Sequence, residues 1–144
     1  MSEIKFVPGG ISVDYRGEIS HVNDLDMAEI RRFYVIHQHD TSIIRAWHGH
    51  QYERKWFYCV KGAFTLAFVK VDNWESPSPD LQAEIYHLSA DVSQVLCIPA
   101  GYANGIRADE PDSELLVFSD KILSVAVNGS WRYDKGMWVD WEHV

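Results

Sequence analysis

The sequence 55-KWFYCVKGAFTLAFVKV-71 contains two dense runs of aromatic and β-branched residues on either side of Lys61-Gly62. Side chains of this kind favour extended strands, and their density disfavours a helix over the same span. A polar residue followed by glycine between two such runs is typical of a turn. The segment therefore predicts two consecutive strands, Lys55–Val60 and Phe64–Val71, in a β-rich domain.

Similar short runs recur along the chain, separated by Pro-, Gly- or Asn-containing segments at 75–80, 99–101, 109–113 and 128–129. Only Leu25–Arg32 has helical character. Many short strands with turns between them predict an all-β jelly-roll sandwich or barrel with at most one or two short helices. We expect a single domain over residues 1–144. The other predicted strands are Arg32–His37, Ile43–His48, Glu84–Leu88, Val95–Ile98, Ala103–Arg107, Glu114–Phe118 and Ile122–Val127.

The composition narrows the classes of partner. The formal net charge of −8 argues against a general nucleic-acid binder, although a few local Arg and Lys residues can still bind a small anionic ligand. No apolar run reaches the length of a membrane span, and the N-terminal MSEIKFVPGG lacks a basic start followed by a long apolar run. We therefore expect a cytoplasmic protein with no nucleic-acid or membrane partner.

The stretch 45-RAWHGHQYERK-55 carries the first candidate site. His48 and His50 lie at i and i+2 of a predicted strand, so both side chains point to one face. With Glu53 they form H-x-H-x-x-E, which resembles the first metal motif of the cupins. In the second cupin motif, PAGYANG at 99–105, Asn104 occupies the position of the expected histidine, and an amide is a poorer ligand for Zn or Fe. We therefore expect no metal or other cofactor, with a metal-dependent cupin enzyme as an alternative.

The same residues also suit acid–base chemistry. A histidine near its usual pKa can remove a proton from a carbon next to a carbonyl, and a carboxylate can orient the ring. Lys55 would stabilise the enolate that forms. Asp72, at the end of one predicted strand, and Asp140, in GMWVD, are the candidate carboxylates. Simple packing of the two histidines remains open from spacing alone.

A family resemblance favours the acid–base interpretation. The ordered segments IIRAWHGHQ, RKWFYCVKG, VDNWESPSP, YHLSADVSQVLCIPAGYANG and SELLVFSD resemble the nucleotide-sugar epimerases and isomerases related to dTDP-4-dehydrorhamnose 3,5-epimerase. DYRG at 14–17 is similar to a further signature of that family. The resemblance implies a cupin fold, a homodimer, and metal-free isomerisation of a dTDP-linked 4-keto-6-deoxyhexose. Such sugars are made for surface polysaccharides such as lipopolysaccharide or for glycosylated metabolites.

The resemblance also implies roles for individual residues. RAWH is similar to the family's R-G-L-H, which makes His48 the base and Arg45 a ligand of the substrate's phosphate or sugar. Lys55 matches the family lysine that stabilises the enolate, and Asp140 resembles the late aspartate that partners the histidine. The remaining candidates for substrate binding are Arg16, Asp72, Tyr102 and Asn104.

Two departures from the epimerase pattern concern the general acid. The strand that should carry a tyrosine reads ELLVFSD, with Val117 or Phe118 at that position, and the family's GFAHG becomes GYANG. The related dTDP-sugar 3,4-ketoisomerases are shorter and carry a paired H-A-H that resembles HGH here, in which both histidines move protons. We therefore predict an epimerase or a ketoisomerase, with His50 as the second proton-transfer group if it faces the pocket. A non-catalytic sugar-nucleotide-binding module is the further alternative.

Overall fold

Two five-stranded antiparallel sheets and a separate two-stranded hairpin make up the computed structural model, which describes residues 3–144. The strands are β1 (Lys5–Pro8), β2 (Gly10–Asp14), β3 (Gly17–His21), β4 (Arg32–Gln38), β5 (Ile44–His50), β6 (Lys55–Lys61), β7 (Ala63–Lys70), β8 (Glu84–Ser89), β9 (Gln94–Ile98), β10 (Tyr102–Ala108), β11 (Ser113–Ser119) and β12 (Ser130–Arg132). The first sheet has the order β1-β9-β6-β11-β4, and the second has the order β12-β5-β10-β7-β8. The hairpin is formed by β2 and β3. The predicted all-β jelly-roll class is confirmed.

The helical content differs from the sequence prediction in two places. Leu25–Arg32 is not helical: it is irregular apart from one turn at Ala28-Glu29, and Arg32 begins β4. Ile122–Val127, predicted as a strand, instead contains the short helix α1 (Leu123–Ala126), which leads into a 3-10 turn at Val127–Gly129. A short apolar run cannot be assigned to strand or helix by periodicity alone. None of the residues of α1 is buried. No helix within residues 3–144 is long and apolar enough to cross a membrane.

The main core lies between the two sheets. Alternate residues of β11, Leu115 and Val117, are fully buried there and belong to one cluster with Leu66 and Phe68 of β7 and Ile106 of β10. Burying each large apolar side chain contributes about 1.5–3 kcal/mol to folding. This packing fixes which face of each neighbouring strand points inward.

The second sheet is also covered on its outer face. Trp47, Val69 and Ala103 are buried there beneath the C-terminal segment 133–141. The indole nitrogen of Trp47 donates a hydrogen bond to the carbonyl oxygen of Met137 at 2.9 Å. Because both faces of the sheet are covered there, β7 (AFTLAFVK) is a nearly continuous apolar run.

A bulge in β5 sets the geometry of the site. In the pairing with β10, Asn104 lies opposite His48, but Ile106 lies opposite Arg45, so two residues of β5 face one residue of β10. Those two residues, Ala46 and Trp47, both pack on the outer face of the sheet. The strand alternation is thereby reset, and Arg45 returns to the same face as His48 and His50.

Candidate active site

A cavity of about 820 Å³ opens between β4 of the first sheet and β5 and β12 of the second. The helical turn that contains α1 forms part of its rim. Apolar side chains, among them Ile36, Ile106 and Val127, line the walls alongside the polar groups. The polar and charged residues that line the cavity are Arg32, Tyr34, His37, Arg45, His48, His50, Glu53, Lys55, Asn104, Ser130, Arg132 and Tyr133.

Glu53 is the centre of the polar network. Its side chain is 4% exposed, and its carboxylate accepts hydrogen bonds from Nη2 of Arg32 at 2.7 Å, from Nζ of Lys55 at 3.2 Å and from Oγ of Ser119. These three donors share Oε2 of Glu53, and Nδ1 of His50 lies 3.1 Å from Oε1 of Glu53. Burial alone would raise the pKa of Glu53, but the hydrogen bonds from His50 and Ser119 and the charge of Lys55 hold that pKa well below its usual value. Glu53 is therefore a carboxylate at neutral pH.

Lys55 is a buried ammonium with two partners. It opens β6, is 3% exposed, and donates to Glu53 and to the hydroxyl of Tyr34 at 2.8 Å. Its Nζ also lies 4.8 Å from the centroid of the Tyr34 ring. The ammonium is thus held at the cavity wall by one negative charge and one aromatic ring.

His50 is 7% exposed and lines the cavity, between Glu53 and Asn104. Burial lowers its pKa, although the hydrogen bond to Glu53 acts in the opposite direction. Because a carboxylate only accepts, Nδ1–H donates to Glu53 in the neutral ring. Nε2 lies 3.1 Å from Oδ1 of Asn104. A protonated ring donates to this oxygen, and a half-turn of the amide offers an N–H to the neutral ring.

His48 is half-buried beside His50, with ring centroids 4.1 Å apart. Its Nε2 lies 2.7 Å from Oγ of Ser130 on β12. Burial, together with the positive charge available at His50 and on Arg132, lowers the pKa of His48 to about 3. His48 is consequently an uncharged base at neutral pH.

Positive charge dominates the cavity although the chain as a whole is acidic. Among the described residues that line it, four have basic side chains: Arg32, Arg45, Lys55 and Arg132. Glu53 is the one carboxylate. Arg45 is oriented by Gln38, whose Oε1 accepts its Nε–H at 3.1 Å. This arrangement favours an anionic ligand.

Five of the predicted site residues line this cavity: His48, His50, Lys55, Arg45 and Asn104. His50 therefore faces the pocket, which was the condition that favours two proton-transferring histidines.

The four other predicted residues do not line this cavity, and the predicted pairing of Asp140 or Asp72 with His48 does not occur in the structure. The exposed carboxylate of Asp140 accepts from Nδ1 of His143 at 2.6 Å, because the C-terminal segment runs over the outer face of the second sheet. Asp72 is exposed in the loop after β7 and accepts from backbone N–H groups. Arg16 is at the exposed turn of the β2–β3 hairpin, paired with Asp14. Tyr102 is 4% exposed in the core cluster and lines a second, much smaller cavity together with His50 and Lys55.

The alternative metal site does not assemble as the motif suggested. In residues 3–144, one group of three potential ligands has its donor atoms within 4.8 Å of one another, and it is the exposed set Asp140, Glu142 and His143. His48, His50 and Glu53 do not form such a set. Both oxygens of Glu53 already accept hydrogen bonds from protein donors.

Several site residues were not predicted from the sequence. They come from three other strands: β4 carries Tyr34 and Gln38, β11 carries Ser119, and β12 carries Ser130. Ser119 and Ser130 are far along the chain from the HGH motif. Tyr34 lies directly opposite Val117 in the β4–β11 pairing. Its hydroxyl therefore enters the cavity from the strand next to the one that lacks the family tyrosine. Val117 itself is fully buried in the core.

Solved structures share this fold at low sequence identity. QdtA, a sugar 3,4-ketoisomerase from Thermoanaerobacterium thermosaccharolyticum solved with TDP, is 19% identical, with a TM-score of 0.70 over 90% of this chain and 88% of that one. The dTDP-4-dehydrorhamnose 3,5-epimerase from Bacillus anthracis is 18% identical, with a TM-score of 0.76 over 96% and 85%. WlaRB, a TDP-quinovose 3,4-ketoisomerase from Campylobacter jejuni, is 17% identical, with a TM-score of 0.70 over 92% and 95%.

These similarities define the chain as a cupin-type jelly-roll protein. Residues 3–126 match the family model described as FdtA: WxcM-like, C-terminal, and the chain belongs to that family. A comparison with curated protein sequences found no match.

Proposed function

We propose that this protein is a 3,4-ketoisomerase that acts on a dTDP-linked 4-keto-6-deoxyhexose. The observation that carries the proposal is the presence of His48 and His50 in one cavity, with ring centroids 4.1 Å apart. Membership of the FdtA family and the ketoisomerase and epimerase relatives in the same fold support the substrate class.

The charge of the cavity supports an anionic sugar nucleotide. Arg45 and Arg132 have no carboxylate partner among residues 3–144, in contrast to Arg32 and Lys55, which contact Glu53. A guanidinium binds phosphate oxygens in a bidentate manner. We assign the diphosphate to the Arg45 and Arg132 side of the cavity and the keto sugar to the histidine side.

The reaction requires two separate proton movements. A base removes the C3 proton, the C3–H electron pair forms the C3=C4 bond, and the C4 carbonyl oxygen takes the negative charge as an enediolate. Protonation of that oxygen gives the enediol. Loss of the O3 proton and delivery of a proton to C4 then yield the 3-ketone. His48 carries the carbon-bound proton and His50 the oxygen-bound proton in this assignment. The shift is redox-neutral within one molecule, so no external oxidant or reductant is consumed.

Lys55 and Glu53 have supporting roles. The Lys55 ammonium lies at the cavity wall, where it can stabilise the developing enediolate oxygen. Glu53 fixes the His50 ring through Nδ1, as a carboxylate does in a histidine–carboxylate pair. The Tyr34 hydroxyl, 2.8 Å from Nζ of Lys55, favours 3-epimerisation as a second candidate function, since it offers an acid from another strand.

The test is incubation with dTDP-4-keto-6-deoxyglucose in deuterated water, followed by NMR of the sugar. We expect a 3-keto product, with His48→Ala reducing turnover about 10²–10⁴-fold. His50→Ala should block product formation more strongly than it blocks deuterium entry at C3. His39→Asn is the matched control, because His39 is an exposed histidine paired with Asp112 outside the cavity.

Other products would change the assignment. A 4-keto sugar inverted at C3, lost in Tyr34→Phe, would favour the epimerase. Tight binding with no deuterium entry would favour the non-catalytic binding module. Turnover by His48→Ala at the rate of the wild type would contradict both enzyme proposals.

A further inference from the structure

The two histidines differ in how their ring nitrogens are used. Nδ1 of His50 contacts Glu53, and Nε2 of His50 contacts Asn104. Nε2 of His48 contacts Ser130 at 2.7 Å. Nδ1 of His48 is the one ring nitrogen of the four with no hydrogen-bond partner among residues 3–144. It is therefore the nitrogen that can take a substrate proton without first breaking a hydrogen bond to the protein.

Ser130 is held in place by the sheet. It is the first residue of β12 and lies opposite His50 in the β12–β5 pairing, two residues before Arg132, which lies opposite His48. The preceding turn is fixed by the hydrogen bond from the backbone N–H of Gln51 to the carbonyl oxygen of Gly129 at 2.9 Å. The serine hydroxyl therefore meets the histidine from a strand that is anchored on both sides of the contact.

We propose that Ser130 is a positioning residue that holds Nε2 of His48 and thereby makes Nδ1 the nitrogen that removes the substrate's carbon-bound proton. The inference rests on the proposed function and adds the residue that sets the tautomer of the base. A neutral His48 donates Nε2–H to Oγ of Ser130, which leaves the lone pair on Nδ1. After proton capture the same Nε2–H···Oγ bond persists, so the ring does not have to turn.

The choice of serine rather than a carboxylate suits the surroundings of His48. The charged and titratable groups around it are His50, Arg132, Lys55 and Glu53, of which all but Glu53 act against a charged imidazole. A serine hydroxyl orients the ring without adding negative charge, so His48 stays an uncharged base. An aspartate at the same position would stabilise the imidazolium by charge as well as by hydrogen bonding.

The experiment combines histidine NMR of the unliganded protein with steady-state kinetics. We expect ¹⁵N shifts of wild-type His48 at pH 7 to show the Nε2–H tautomer. Ser130→Asp should raise the pKa of His48 by about 1–3 pH units and move the acidic limb of kcat/KM by the same amount. Ser124→Asp is the matched control, since Ser124 is exposed on α1 and is not among the cavity residues. Ser130→Ala should lower kcat about 10-fold or more and leave KM within about threefold, with Ser130→Thr restoring most of kcat.

The outcomes separate the inference from the function on which it rests. An Nδ1–H tautomer in the wild type, or a His48 pKa that moves no further in Ser130→Asp than in Ser124→Asp, would overturn the role of Ser130 even in an active enzyme. Conversely, the Nε2–H tautomer in the wild type and the pKa shift in Ser130→Asp, found together with a wild type that turns over no keto sugar, would overturn the proposed function and, with it, the proton transfer to Nδ1.

Discussion

Glu53→Gln is the substitution whose consequences the structure defines best. The carboxylate accepts from Arg32, Lys55 and Ser119 and contacts Nδ1 of His50. Glutamine keeps the shape of the side chain and removes its charge. It also places an amide N–H₂ where one oxygen accepts hydrogen bonds, so at least one donor loses its partner.

The magnitude follows from the burial of the pair. Lys55 is 3% exposed and Glu53 is 4% exposed, and with the charge of Glu53 removed, Lys55 keeps the Tyr34 hydroxyl and ring as partners. Removing one partner of a buried ion pair costs about 3–5 kcal/mol, because the other charge is left uncompensated. Arg32 is partly exposed and can regain water, so it adds little. We expect the free energy of unfolding to fall by about 3–5 kcal/mol.

Urea unfolding at pH 7 measures this loss. The double variant Glu53→Gln/Lys55→Met is the control, since it removes the stranded ammonium together with the carboxylate. We expect the double variant to be more stable than Glu53→Gln alone, with a coupling energy of about 1–3 kcal/mol in the double-mutant cycle.

The sign of the pH dependence is fixed by the lowered pKa of Glu53. The stability that this carboxylate contributes is fully present above its unfolded pKa, about 4.3, and is lost as pH falls toward the folded pKa. The difference between wild type and Glu53→Gln should therefore shrink on acidification below about pH 4. A loss under about 1 kcal/mol at pH 7, or additive effects of the two substitutions, would refute the reasoning.

Three further predictions concern neighbouring features. The pKa of His48 is lowered to about 3 from 6.5, so the unfolded chain binds a proton at this histidine before the folded chain does as pH falls. The wild type should therefore lose more free energy of unfolding than His48→Asn between about pH 6.5 and pH 5. Urea titrations should show a difference of up to about 1.4 kcal/mol per pH unit. Arg45→Met should raise KM for the sugar nucleotide about 10–100-fold with little change in kcat, and equal KM values would remove Arg45 from diphosphate binding. Val117→Tyr should destabilise the fold by about 1–3 kcal/mol or more in thermal melts without creating epimerase activity, because Val117 is fully buried in the core.

Strands β4 to β11 and the histidine pair were accessible from local sequence pattern, whereas β1, β2, β3 and β12 were not predicted. The i, i+2 spacing of His48 and His50 places both side chains on one face, and the structure brings them into one cavity. Arg45 is three residues from His48, so strict alternation would put it on the opposite face. Only the bulge at Ala46 and Trp47 returns it to the cavity, and a bulge is not visible in a period-2 pattern.

The partners of the histidines depended on long-range contacts that spacing does not encode. The H-x-H-x-x-E motif suggests Glu53 as a metal ligand in the alternative interpretation, whereas in the structure Glu53 is the hydrogen-bond partner of His50. The family resemblance implies Asp140 as the partner of His48, but the C-terminal segment places Asp140 over the outer face of the sheet. The folded sheets bring Ser130 to His48 across 82 residues of sequence, and Tyr34 to Lys55 across 21 residues.

The identity of the wild-type product tests the central claim most directly. Purified protein and dTDP-4-keto-6-deoxyglucose carrying ¹³C at C3 and C4 would be followed by NMR until the spectrum stops changing. The two-histidine cavity predicts that the carbonyl resonance moves from C4 to C3 while the configuration at C5 is unchanged. A carbonyl that stays at C4, with or without inversion at C3 or C5, would contradict the ketoisomerase assignment.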